Sequence, residues 1–224
     1  MNPSQILMYA LVIILFYLIY TYLISTSSNK LTGILSARTP YVVSEDSIKL
    51  LNNSQQIFNY TVSIWIYVDN WDITTNLTKP ILTIEDALDV YLGSIDNNLF
   101  VNVHKFSSTV DKFTAVIPAV PLQAWTNIAV SIHDTSVDIY MNGKLVQSNL
   151  MSFLPGPVKE SIKLTPEPGF IGWTSNFEYY PYALNPTQIN DVYKKGYTGA
   201  QESLLNLLGR YSMKVVFVDN TQKQ

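Results

Sequence analysis

Two rhythms of hydrophobic and polar positions run along the chain. Residues 6–24 read ILMYALVIILFYLIYTYLI, 19 positions without a charge. A helix of that length rises about 28 Å, one bilayer hydrocarbon thickness. The segment, with Ile6 and Ile24 at its ends and Leu15 at its centre, is expected to be a transmembrane anchor. The leading MNPSQ carries no Lys or Arg, and the apolar run exceeds the usual signal-peptide core of about 7–15 residues, which argues for a retained span over a cleaved leader. Only the α-amine precedes the span while Lys30 and Arg38 follow it, so the positive-inside rule places the C-terminal bulk on the cytosolic face.

After a Ser/Thr/Asn-rich connector the rhythm shortens to alternating runs broken by turn residues about every ten positions, the pattern of an antiparallel all-β domain. In residues 61–68 (TVSIWIYV), Val62, Ile64, Ile66 and Val68 share one face, and Ser63, Trp65 and Tyr67 the other. Further strands are expected over 81–84, 89–92 and 99–106. Residues 125–146 alternate through two more, turn at 134–136, and then meet Asn142-Gly143, whose tolerance of positive φ marks a type I′ hairpin. Asn185-Pro186-Thr187-Gln188 supplies a helix cap, a proline at the first helical position and a Gln three residues after the cap, so a short helix should run from there to about Gly196. A second short helix is expected over 201–208 and a strand over 211–219.

These residues carry a family resemblance. TVSIWIYV, then LQAWTNIAVSIHDTSVDIYMNGKLV (122–146), then FIGWTSNFEYYPYALNPTQINDVYKKG (170–196) resemble, in that order, the concanavalin A-like lectin/glucanase superfamily, most nearly its laminin G-like branch. The resemblance implies an all-β jelly-roll sandwich of two antiparallel sheets. The chain then divides into an anchor and connector (1–29), a linker (30–40), the sandwich (41–199), and a helix-strand extension with a polar tail (200–224). Because that fold serves lectins, glycoside hydrolases, adhesion modules and structural domains alike, function has to be argued from the site.

Composition narrows the chemistry. The chain has no cysteine, only 14% charged residues and a net charge of −3. Disulfide frameworks, thiolate metal sites and cysteine enzymes are excluded, and a basic nucleic-acid surface is not expected. Soluble domains carry about a quarter charged residues. The anchor accounts for part of the deficit, and the remainder suggests a surface meant to be covered. Three glycosylation sequons, at Asn52, Asn59 and Asn76, are about what chance gives in so Asn-, Ser- and Thr-rich a chain, and say nothing of topology.

Glycoside hydrolysis requires two carboxylates about 5–9.5 Å apart. In TIEDALD only Glu85 and Asp89 would share a strand face, at about 13 Å, which is too far. His104 and His133, the only histidines, have no G-x-S-x-G nucleophile beside them. No enzyme activity and no cofactor are therefore expected. A structural calcium at Asp69, Asp72 or Asp96 would lack a full ligand set. Aromatic and amide neighbours are the remaining signal: Trp71 beside Asn70, and Tyr179, Tyr180 and Tyr182 beside Asn176, are candidate glycan or protein contacts, with internal packing as the alternative for the tyrosines.

The expected function is a single-pass, non-catalytic β-sandwich acting as a structural or protein-interaction component. One setting that fits is a minor capsid protein linking the internal membrane of a large DNA virus to its shell. The partners would be the lipid bilayer and neighbouring proteins. The alternative is a membrane-tethered lectin.

Overall fold

A computed structural model of the protein describes residues 3–24, 29–53, 55–71, 76–108, 110–158 and 161–198. The helix and strand expected over 201–219 lie outside these. Helix α1 spans Pro3–Ile24, with side chains described at Gln5 and at 8–17. Among the described residues no helix is long and apolar enough to cross a membrane.

Residues 27–198 form one compact unit. It contains β1 (Leu35–Ser36), β2 (Tyr41–Val42), α2 (Glu45–Leu51), β3 (Tyr60–Val68), β4 (Lys79–Ile84), β5 (Leu88–Leu92), β6 (Leu99–His104), β7 (Lys112–Ile117), β8 (Thr126–His133), β9 (Ser136–Met141), β10 (Lys144–Leu150), β11 (Ile162–Leu164), β12 (Gly172–Tyr180) and α3 (Pro186–Lys194). The strands make two six-stranded antiparallel sheets. Sheet A runs β1-β12-β3-β8-β9-β10, and sheet B runs β2-β11-β4-β5-β6-β7.

Period-two alternation turns one side of each strand into the space between the sheets. Val62, Ile64, Ile66 and Val68 of β3 meet Ile128, Val130, Ile132, Val137 and Ile139 of sheet A and Leu82, Ile84, Leu88, Val90, Val101 and Val103 of sheet B in a single core. The expected β8-β9-β10 meander is present, and Asn142 and Gly143 turn with φ of 51° and 74°.

The second side of β3 is also buried, because α3 and the segment leading to it form a third layer over sheet A. Thr61, Ser63 and Trp65 are at most 6% exposed, and Ile189 and Val192 of α3 join Ala129, Tyr140, Tyr180 and Leu184 in a second apolar cluster. The capping box at Asn185 and Gln188 starts α3 as the sequence requires. Residues 30–40, read from sequence as a linker, contribute β1, which pairs with β12, and the fully buried Ala37. The short elements β1, β2 and β11, together with α2 and β7, were not expected.

Candidate functional site

The pairing register puts residues 69–71, 76–78, 93–98 and 118–125 at one end of the sandwich and residues 85–87, 105–108, 110–111, 134–135 and 181–185 at the other. Trp71 therefore lies at the first end and Tyr182 at the second, so the sequence candidates do not form one site. The Trp71 indole donates to Ile95 O at 3.2 Å, and Lys79 Nζ stands 4.3 Å from its ring centroid. Tyr182 is 49% exposed. Asp72, part of the calcium expectation, lies outside the described residues.

Asn176, Tyr179 and Tyr180 are buried. Tyr179 belongs to the inter-sheet core and donates to Asn52 Oδ1 at 2.7 Å. Burial raises its phenol above the ordinary tyrosine value, against a lowering contribution from that hydrogen bond. Asn176 sits at the β12 bulge with φ of 45°, and its Nδ2 donates to Glu178 Oε1 and to Gly196 O, each at 3.1 Å. Glu178, 1% exposed, accepts from the Tyr180 hydroxyl and from Lys195 Nζ at 3.0 Å. The Tyr180 phenol is raised first by burial and then by the Glu178 charge. Beside this cluster Trp65 stacks on Tyr193 at 5.4 Å and Trp125 on Tyr197 at 4.6 Å. Asn176, Glu178, Tyr180 and the two stacked aromatic pairs join the segment around α3 to sheet A, while Tyr179 faces the inter-sheet core.

Sheet B has no such cover among the described residues. The residues of its strands that point away from the core fall into two adjacent rows. Lys163, Thr83, Asp89, Asn102 and Thr114 are mutual Cα partners across β11, β4, β5, β6 and β7. Pro80, Tyr91, Phe100 and Val116 make a parallel apolar row. Tyr91 and Phe100 stack on one another, with centroids 5.1 Å apart and 5° between ring planes. The polar row is held in place by its own hydrogen bonds. Thr114 Oγ1 donates to Asn102 Oδ1 at 2.8 Å, and Asn102 Nδ2 donates to the Tyr91 hydroxyl at 3.5 Å. His104 Nε2 lies 2.7 Å from Asp89 Oδ2, which ties the two side chains together across β5 and β6. Asp89 is the one acid in the six strands of sheet B. The strands of this face therefore offer hydrogen-bonding groups beside a stacked aromatic pair, with Asp89 as their single carboxylate.

The sequence signal for this face was the alternation in LDVYL and LFVNVH, where Asp89, Tyr91, Phe100, Asn102 and His104 are the off-core positions. Which of them become neighbours depends on the β5-β6 register, which the sequence leaves open.

The sequence profile of a laminin G family of the concanavalin A-like lectin/glucanases superfamily matches residues 37–190. The chain belongs to this superfamily. No curated protein matches the sequence. Among solved structures, the concanavalin A-like sandwich is similar to the botulinum neurotoxin serotype D ligand-binding domain in complex with N-acetylneuraminic acid, with a TM-score of 0.59 at 16% identity over 72% of this chain. It is also similar to the receptor-binding domain of the botulinum neurotoxin C/D mosaic serotype, with a TM-score of 0.57 at 13% identity over 72% of this chain. A third is the binding domain of botulinum neurotoxin DC in complex with rat synaptotagmin II, with a TM-score of 0.53 at 15% identity over 73% of this chain. In each case the chain spans 42% of the toxin chain's length. At these identities the likeness is one of fold.

Proposed function

We propose that the protein is a membrane-tethered, non-catalytic interaction module whose concanavalin A-like sandwich adds a neighbouring protein's extended segment to the outer edge of β10. The observation that carries this reading is the edge itself. Among the described residues β10 pairs with β9 on one side only, it contains no proline, and its one charge is Lys144 at its start. Leu145, Val146 and Leu150 are 50%, 46% and 81% exposed. Lys144 and a bulge near Val146 protect only the start of the strand, and the stretch after them is a regular template for strand addition.

The tether is α1. Met8, Leu11, Ile13 and Phe16 are each more than half exposed on a helix whose described apolar positions face outward all round. Such a surface suits lipid and is costly in water. No helix is long and apolar enough for a crossing among the described residues; the crossing is argued from the sequence, whose 19 uncharged residues at 6–24 match one bilayer thickness, and the flanking charges favour the sandwich on the cytosolic face. A place between the internal membrane and shell of a large virion is consistent with this topology and with the low charge.

Cross-linking mass spectrometry in the native membrane or particle tests the reading. Lys144 should link to a second protein, and Leu150→Lys with Val146→Lys should abolish that link while changing stability by no more than about 0.5 kcal/mol each, as for exposed sites. A Lys144 without protein neighbours, or links indifferent to both variants, would overturn it. Protease protection of intact membranes checks topology: a shielded sandwich contradicts the cytosolic orientation.

A second reading is a tethered lectin, favoured by the uncovered, hydrogen-bonded face of sheet B. The sialic acid bound by one structural neighbour and the synaptotagmin bound by another agree with a recognition role of either kind.

A further inference from the structure

The place where the chain enters the sandwich decides which end of it is near the bilayer. The apolar run ends at Ile24, and after residues 25–28 the chain is already bonded into the domain. Asn29 O accepts from Tyr179 N at 3.1 Å, Leu31 N donates to Phe177 O at 2.8 Å, and Leu35 lies opposite Thr174, so the entering chain runs antiparallel to β12. Tyr179 stands where β12 leads into residues 181–185, which puts Asn29 at the end that also carries residues 85–87, 105–108, 110–111 and 134–135. With 6–24 in the bilayer, the peptide steps from Ile24 to Asn29 reach at most about 18 Å. The headgroup layer takes about 6 Å of that, so this end is held within roughly 12 Å of the lipid surface. The opposite end, with Trp71 and Ile95, is a strand length away, about 30 Å for the nine residues of β3.

The tethered end exposes large apolar side chains. Phe106, Val110 and Leu154 are 42%, 82% and 44% exposed, and Tyr182 is 49% exposed. They are linked through the backbone and the rings: Phe106 N donates to Leu154 O at 2.9 Å, Phe106 packs edge-on against Phe58 at 5.3 Å, and Tyr182 O accepts from Thr61, three residues along from Phe58. An aliphatic and aromatic group of this kind, with a tyrosine hydroxyl at its margin, has the chemistry of a bilayer interface. Charge does not supply the attraction. Lys105 is paired with Asp111 at 3.2 Å, and around these turns Lys105 and Lys112 are outnumbered by the exposed Glu85, Asp86, Asp111 and Asp134, which disfavours anionic headgroups. The short tether keeps the patch at high effective concentration over the lipid, so a few apolar side chains suffice to hold an orientation.

Resting on the tethered reading above, we infer that the end of the sandwich carrying Phe106, Val110, Leu154 and Tyr182 docks by apolar insertion on the zwitterionic interface of the bilayer that holds residues 6–24. The strands then rise from the membrane, and Ile95 in the turn at 93–98 points away from it. The β10 edge runs outward from the lipid with its Lys144 end farthest from the surface, within reach of a neighbouring protein.

Because the chain has no cysteine, single labels can be placed without background. The full-length chain in phosphatidylcholine nanodiscs carries a nitroxide at Ser152→Cys, an exposed position of the tethered end, or at Ile95→Cys at the far end. Collision with oxygen, which concentrates in lipid, is compared with collision with a water-soluble nickel chelate, and thermal melts of each variant control for folding. The oxygen-to-nickel ratio should be severalfold higher for the Ser152 label than for the Ile95 label. Val110→Asp with Leu154→Asp should erase that difference, and replacing part of the lipid by phosphatidylserine should not enlarge it. Should the double variant fail to fold, the comparison of the two labels on the otherwise native chain still decides. Equal ratios at both ends, in a chain that resists alkaline extraction from vesicles, would overturn the docking and leave the tether. A higher ratio at Ile95, or a difference that requires phosphatidylserine, would overturn the orientation or the apolar mode. A Ser152 label that stays in water in nanodiscs and is shielded from both reagents only in the native particle would assign the patch to a protein instead. A chain released by alkaline extraction would remove the tether and this inference together.

Discussion

Lys195, one residue past the end of α3, places its ammonium 3.0 Å from the carboxylate of Glu178 on β12, and the acid is 1% exposed while the lysine keeps 29%. A charge so buried is tolerable only because its oxygens are fully engaged, here by Lys195, Tyr180 and Asn176. The pair joins the third layer to sheet A at the point where the helix ends.

Lys195→Met leaves the Glu178 carboxylate without its cation. Because the lysine is partly wet, the expected loss is about 2 kcal/mol, below the 3–5 kcal/mol of a fully buried pair. Adding Glu178→Gln should restore part of that loss. A double-mutant cycle by urea denaturation measures the coupling, and additive losses would contradict a direct interaction.

Trp65 is the flat surface on which Tyr193 of α3 rests. Trp65→Ala should cost about 3–5 kcal/mol, the usual range for a buried large aromatic. Amide exchange in residues 186–195 should accelerate more than in β5 or β6, because the layer over sheet A loosens before the inter-sheet core does.

Tyr60, Tyr179 and Tyr180 all have phenols raised above the ordinary value, chiefly by burial. The unfolded chain releases these protons near pH 10 while the folded chain retains them, so their contribution is complete below that pH and is lost as pH climbs toward the folded values. The three together give a slope of roughly 4 kcal/mol per pH unit above about pH 10. Tyrosinate absorbance from these residues should appear together with loss of circular dichroism, not ahead of it.

A Cβ on Gly156 would lie 1.8 Å from the Asp86 carbonyl oxygen, on backbone that has no rotamer to yield. Gly156→Ala should therefore destabilise by at least about 3 kcal/mol, the upper range of ordinary overpacking. A chemical denaturation midpoint shift will show it. A neutral outcome would mean the loop at 151–158 can move off the β4-β5 turn.

Local chemistry made part of the fold legible. The alternation of β3, the Asn142-Gly143 turn and the Asn185 capping box each determine their structure within a few residues, and each is present. The burial of the second side of β3 was not legible: alternation separates Ser63, Trp65 and Tyr67 from the core face, but it reports polarity, not the presence of a layer contributed from more than 100 residues away. The same limit applied to the tyrosines. Tyr179, Tyr180 and Tyr182 are adjacent in sequence, yet one enters the core, one lies under the third layer and one reaches solvent. β1 and β11 are too short to have a period, and they exist because β12 and β4 offer them an edge.

The pairing order of sheet A also sets a schedule. β3, near the start of the sandwich, takes β8 as one neighbour and β12 as the other, and β12 is followed directly by the helix that covers both. A ribosome must deliver residue 133 before β3 has its first flank and residue 180 before it has its second, and chains dominated by such distant contacts fold slowly. Until β8 has emerged, β3 is an apolar strand unpaired on both sides, and that interval is when the nascent chain is most open to aggregation.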